Sequence, residues 1–129
     1  GAAGGLGYAL LAFMGATMRS GIDIVIEATG LRERAKACDI IITGEGRLDR
    51  QTTMGKAPGG ILRIAQELGK PVIAVGGTIS HCKELDNSAF EALYAITTEG
   101  MTLDEAMQSE VAKENLLRCA QRIAKDYHR

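Results

Sequence analysis

Apolar positions along the chain follow two patterns, one at helical spacing and one in short continuous runs. Leu6, Leu10, Leu11, Phe13, Met14 and Met18 are helically spaced after a glycine-rich start, which predicts a helix over 6–18 closed by Arg19, Ser20 and Gly21. Over 22–29 the Ile and Val content suits a strand, yet Ser20 with Asp23 resembles an N-terminal capping pair and Gly30 a C-terminal stop, so the segment reads as a helix. A short polar helical turn is expected over 31–37. The run DIIIT over 39–43, closed by Gly44, is continuously apolar, as in a strand buried on both faces.

Ala57, Ile61, Ile64, Ala65 and Leu68 trace one helical stripe, with Pro58 tolerated in the first turn and Gly69 suited to the C-terminal cap. A second buried strand is predicted over 71–75, leading into Gly76 and Gly77, and a third over 93–97. Thr102 with Glu105 forms a capping box ahead of a further helix. The last helix, over 109–127, sets Ala112, Leu116, Cys119, Ala120, Ile123 and Tyr127 on one face and pairs Glu114 with Arg118 on the other. Strands alternating with helices require parallel pairing and crossovers, so the fold class is α/β: half of a doubly wound parallel sheet with flanking helices.

Composition narrows the function classes. With 129 residues, of which 46% are hydrophobic, the chain can bury the core of one modest domain. Its 15 basic and 16 acidic residues are mixed along the sequence and sum to −1, so no broad field would hold a nucleic acid or an anionic membrane, and an anionic ligand must be gripped locally. Cys38, Cys82 and Cys119 lack the paired spacing of a zinc or haem site and read as reduced thiols of a cytoplasmic protein. No apolar run reaches the length of a membrane span, and the small-residue start lacks the basic region of a signal peptide. That start, without methionine, reads as a cut through a larger protein.

Three loops would lie at the carboxyl ends of the strands, where open α/β sheets bind ligands: 44–53, 76–83 and 97–102. The first places Glu45, Arg47, Asp49, Arg50, Gln51, Thr52 and Thr53 between a buried strand and a helix that opens with Lys56. Gly44 and Gly46 let backbone approach a ligand, while amides at a helix N-terminus favour phosphate. Lys56 and Arg47 can contact phosphate oxygens; Asp49 or Glu45 could hold Mg²⁺ or accept a proton from a substrate hydroxyl. The competing reading is a polar surface loop in which Arg47 or Arg50 pairs with Asp49 or Glu45 and Thr52 caps the helix. It is not a Walker A loop, because Ala57 follows Lys56 where Ser or Thr is required.

Gly1, Gly4, Gly5 and Gly7 lead into the first helix and could receive a second phosphate or a small carboxylate, although close helix packing accounts for them as well. Gly76 and Gly77, followed by Thr78, could line the cleft or serve a tight turn. His81 beside Cys82 reads as a surface histidine and a packed thiol, since sequence neighbours rarely face each other as a catalytic pair. His128 is expected to be solvent-exposed. Met14, Met18, Met54, Met101 and Met107 read as packing residues.

The string TGEGRLDRQTTMGKAP over 43–58 resembles the signature of the type I glycerate kinase family, written around GEGR-[ILF]-D-x-Q-[ST]-x-x-GK-x-P. The opening GAAGGLG, the PVIA segment over 71–74 and MTLDEA over 101–106 resemble family segments in the same order, so the likeness covers the whole chain. The resemblance implies ATP- and Mg²⁺-dependent phosphorylation of D-glycerate, commonly to 2-phosphoglycerate, by a protein about three times longer with two α/β lobes. On that basis 1–38 would belong to the second lobe, and 39–129 would be the C-terminal half of a Rossmann- or flavodoxin-like lobe. The missing N-terminal part of the same protein would complete the cleft. Carried over position by position, the match singles out Gly4, Gly5, Gly7, Gly44, Glu45, Gly46, Arg47, Asp49, Gln51, Thr52, Gly55 and Lys56. Asp49 is the expected proton acceptor or metal-organising carboxylate, Glu45 its companion at the metal, and Lys56 and Arg47 the contacts to phosphate or the glycerate carboxylate. A non-catalytic phosphate- or nucleotide-binding module on a similar half-sheet is the alternative.

Overall fold

In the computed structural model, which describes residues 2–54 and 56–127, the three apolar runs become one parallel sheet ordered β1-β2-β3. Its strands are β1 (Ile41–Leu48), β2 (Val72–Ile79) and β3 (Ala92–Ala95). Helices α1 (Leu6–Met14), α2 (Gly21–Ala28) and α3 (Leu31–Lys36) precede the sheet. Helix α4 (Ala57–Glu67) connects β1 to β2, α5 (Lys83–Asp86) connects β2 to β3, and α6 (Leu103–Ala106) and α7 (Ser109–Asp126) follow. The α/β expectation of a parallel sheet with flanking helices is met. Gly1, Gly55 and His128 lie outside the described residues.

Central strand β2 is the reason the sheet forms: Val72, Ile73 and Ala74 are almost wholly excluded from solvent, as a strand covered on both faces must be. On one face α4 and α5 pack Leu62, Ala65 and Leu85 against Val72, Ala74 and Leu48. On the other, α7 sets Cys119 and Ile123 against Ile73, Val75 and Tyr94. Burial pushes the Cys119 thiol pKa up. The Tyr94 hydroxyl donates to Asp126 Oδ2 at 2.6 Å, and Arg122 lies over the Tyr94 ring, 5.4 Å from its centre.

Several boundaries differ from expectation. Helix α1 stops at Met14, because Gly15 takes a left-handed conformation and its N–H bonds back to Leu10. Met18 therefore lies outside it, and α1 carries no buried residue. Segment 22–29 is helical, as its signals indicate: Ser20 caps it by accepting from the Asp23 N–H. Gly69 closes α4 in a left-handed conformation, but the stripe is rotated, with Leu62 buried and Ala57 exposed. The capping box of Thr102 and Glu105 is present and holds the Glu105 carboxyl below the usual carboxylate range. Glu114 pairs with Arg118.

The largest departures concern β1, β2 and α7. Both strands run on through glycines expected to open loops, so Gly44, Gly46, Gly76 and Gly77 are strand residues. On α7 the buried line is Asn115, Cys119 and Ile123, whereas Leu116 and Ala120 stay exposed. They face a groove beyond which the sheet ends: β1 is an edge strand whose Ile42 is 56% exposed.

Candidate functional site

The richest polar cluster is built where β1 runs into α4. Along β1 the alternation of half-buried and exposed positions holds as far as Gly46 and then fails, leaving Arg47 exposed and Leu48 fully buried. Glycines permit this close approach of β1 and β2. A Cβ on Gly44 would stand 2.9 Å from the Val75 carbonyl oxygen, and one on Gly77 only 2.5 Å from that of Gly46. Gly76 is hemmed in by Leu48 and by the Thr78 carbonyl. These three glycines therefore serve strand packing, and Gly76 and Gly77 make no tight turn. Gly46 differs, with nothing among the described residues within 4 Å of its would-be Cβ.

After Leu48 the chain enters a 3₁₀ turn, Arg50–Thr53, capped by Asp49. Asp49 Oδ1 accepts from the Gln51 N–H at 2.8 Å, and the Asp49 N–H donates to Thr52 Oγ1 at 2.9 Å. Thr52, fully buried, donates in turn to Glu45 Oε1 at 2.5 Å. Lys56, at the N-cap position of α4, brings Nζ to 3.6 Å from Glu45 Oε2 and 3.8 Å from Asp49 Oδ1. Pro58 follows in the first turn of α4, and Gly59 fits under the Thr52 carbonyl, which a Cβ would approach to 2.8 Å.

The side chains of Glu45, Asp49, Thr52 and Lys56, all expected at the site, are thus brought together, whereas Gln51 joins them only through its backbone N–H. The capped-loop reading is corrected in its details. Thr52 does not cap α4, and Lys56, not an arginine, meets the two carboxylates. Arg47 instead turns to β2, donating from Nε and Nη2 to Ser80 Oγ at 2.9 and 2.6 Å. Gly4 and Gly5 precede exposed α1 and Gly7 lies in its first turn, with nothing among the described residues within 4 Å of a Cβ at any of them. Gly55 is outside the described residues.

Ser80 was not singled out from sequence; a hydroxyl just after a β-strand was its only signal. Asn115, buried in α7, also escaped notice. It accepts from Thr98 Oγ1 and donates to Met101 Sδ, tying down the loop after β3. His81 meets Asp86 at 2.6 Å while Cys82 packs toward Leu48 and Leu85, so the two neighbours form no catalytic pair.

Two carboxylates against one ammonium leave the cluster with excess negative charge. A bare phosphate would be repelled, whereas a divalent cation carrying phosphates would be attracted. Among the described residues no group of three or more His, Cys, Asp or Glu is placed to hold a metal. Magnesium, however, is commonly held by one or two carboxylates, with phosphates and waters supplying the remainder, and Glu45 with Asp49 fits that need. A concavity of about 740 Å³ is a different feature. It is the apolar groove between β1 and α7, and it meets the cluster only at Thr43, Gly44 and Glu45. No described helix is long and apolar enough to cross a membrane.

Residues 1–128 match the glycerate kinase family. Over 125 residues, 96% of the chain, the sequence is 42% identical to a glycerate kinase of Bacillus cereus and 41% identical to a glycerate 2-kinase of Escherichia coli K12. A crystal structure provisionally described as glycerate kinase 2 from Salmonella typhimurium LT2 superposes with a TM-score of 0.71, at 39% identity over 98% of this chain. In each case the chain spans 32% of the relative's length.

Proposed function

Because the chain belongs to the glycerate kinase family, we propose that it forms part of a cytoplasmic enzyme that transfers the γ-phosphate of ATP to a hydroxyl of D-glycerate, giving 2-phosphoglycerate. The observation that carries this reading is the meeting of Glu45, Asp49 and Lys56 at the N-terminus of α4. Phosphoryl transfer depends on positioning and charge stabilisation, and the cluster offers acidic groups, an ammonium and a helix N-terminus together.

Asp49 is the proposed acceptor of the substrate hydroxyl proton or the organiser of the metal. Lys56 is assigned to phosphate oxygens and Arg47, anchored on Ser80, to phosphate or the glycerate carboxylate. Mg²⁺ would be held by Glu45 and Asp49 and would supply neutralisation of charge on the transferred group. Gly46 is the place where β1 backbone can approach a ligand. Gly44, Gln51, Gly55, Gly4, Gly5 and Gly7 remain proposed contributors to the binding surface. The remaining length of the relatives is assigned to a further part of the same protein, one that completes the cleft.

In the complete protein, Asp49→Ala is expected to abolish glycerate-dependent ADP release with an unchanged circular dichroism spectrum. Near-normal turnover would sink the assignment of Asp49. ATP binding by the complete wild-type protein without any glycerate-dependent turnover would favour the non-catalytic module instead.

A further inference from the structure

We infer that Thr52 is a positioning residue, a buried latch that fixes Glu45 relative to Asp49 without touching substrate. The inference rests on the kinase reading above and departs from the assignment of Thr52 to ligand contact. A threonine hydroxyl has one proton to give and two lone pairs to offer. Here the Asp49 N–H can only donate, so it occupies a lone pair of Oγ1 at 2.9 Å. The single hydroxyl proton is thereby committed to Glu45, whose carboxylate can only accept, at 2.5 Å. Thr52 has no solvent-accessible surface, so a ligand could reach even the remaining lone pair of Oγ1 only by displacing the groups that bury it.

The consequence is geometric. Glu45 belongs to β1 and Asp49 to the cap of the 3₁₀ turn, and the buried Thr52 hydroxyl bridges the Glu45 carboxylate to the Asp49 backbone N–H. Lys56 spans the carboxylates of the same two residues from the solvent side, where it is 39% exposed. Thr52 thus sets the separation into which the ammonium fits. The Thr52 carbonyl also lies close against Gly59 of α4, where a Cβ would come within 2.8 Å, so the turn that carries the latch packs against the helix as well as the strand.

The test uses the complete protein with Thr52→Val, which keeps the shape and removes the hydroxyl, and Thr52→Ser, which keeps the hydroxyl. Loss of the latch should lower kcat by roughly tenfold to a hundredfold, the scale of a misplaced reacting group, while KM for glycerate moves much less. Thr52→Ser should restore kcat to within a few-fold of wild type. Independently of turnover, amide exchange at Asp49 should accelerate in Thr52→Val and not in Thr52→Ser. A Thr52→Val enzyme with wild-type kcat, a KM-only effect, or a Thr52→Ser enzyme as impaired as Thr52→Val would each overturn the inference. A wild-type protein without glycerate kinase activity would instead defeat the kinase reading, with Asp49 amide exchange still deciding whether the latch exists.

Discussion

Lys56 Nζ stands 3.6 Å from Glu45 Oε2, in a pair that joins the N-terminus of α4 to strand β1. Asp49 Oδ1 stands 3.8 Å from the same ammonium. Neither distance is that of a tight hydrogen bond, so the ammonium is shared and can be redirected to an incoming oxygen without breaking a short contact.

Removing that ammonium should therefore cost catalysis more than stability. In the complete protein, Lys56→Met is expected to lower kcat by about a hundredfold or more, the scale seen when one group stabilising transition-state charge is deleted. Lys56→Arg should rescue poorly, since a planar fork cannot replace a compact ammonium between two carboxylates. Steady-state kinetics would check this. A Lys56→Met enzyme within threefold of wild type would remove Lys56 from the phosphoryl-transfer machinery.

Gly46 and Gly77 separate packing from ligand approach. An alanine methyl at Gly77 would press on the Gly46 carbonyl oxygen at 2.5 Å, so Gly77→Ala should destabilise by about 1–3 kcal/mol, as overpacking does, and lower the melting temperature. Among the described residues nothing lies within 4 Å of a methyl at Gly46. Gly46→Ala should melt like wild type yet raise KM for ATP or lower kcat by tenfold or so, because the methyl occupies the space a ligand needs. Full activity in Gly46→Ala would show that no ligand comes close to β1 there.

The same glycines explain how much of the molecule was legible in its sequence. The apolar runs that start the strands, and the capping pairs of Ser20 with Asp23 and Thr102 with Glu105, carry their structure locally and are found where expected. The continuation of β1 through Gly44 and of β2 through Gly76 and Gly77 was not legible. Glycine ordinarily interrupts a strand, and here its need arises from a neighbouring backbone that only the fold supplies. For α7, the stripe of Leu116 and Ala120 has helical period but no covering partner in the described residues, because the sheet ends at β1. The sequence motif brought Glu45, Asp49, Thr52 and Lys56 into view together. Their division of labour was hidden, since the buried hydroxyl bridge from Thr52 to Glu45 exists only once the 3₁₀ turn folds back on the strand.

Tyr94 allows a pH prediction remote from the proposed chemistry. Its hydroxyl donates to Asp126, and this bond, reinforced by burial, pushes its pKa up from 10.0 to about 12. Both effects favour the protonated phenol, so between pH 10 and pH 12 the folded chain binds a proton at this site that the unfolded chain has lost. Stability from this group is accordingly full below pH 10 and declines as pH rises through 12. Ultraviolet phenolate titration of the folded protein should show one tyrosine ionising near pH 12, and Tyr94→Phe should remove that step. Tyr94→Phe should also flatten the corresponding part of the decline in melting temperature over the same range. A phenolate of ordinary pKa assigned to Tyr94 would mean that the hydroxyl does not hold Asp126 in solution.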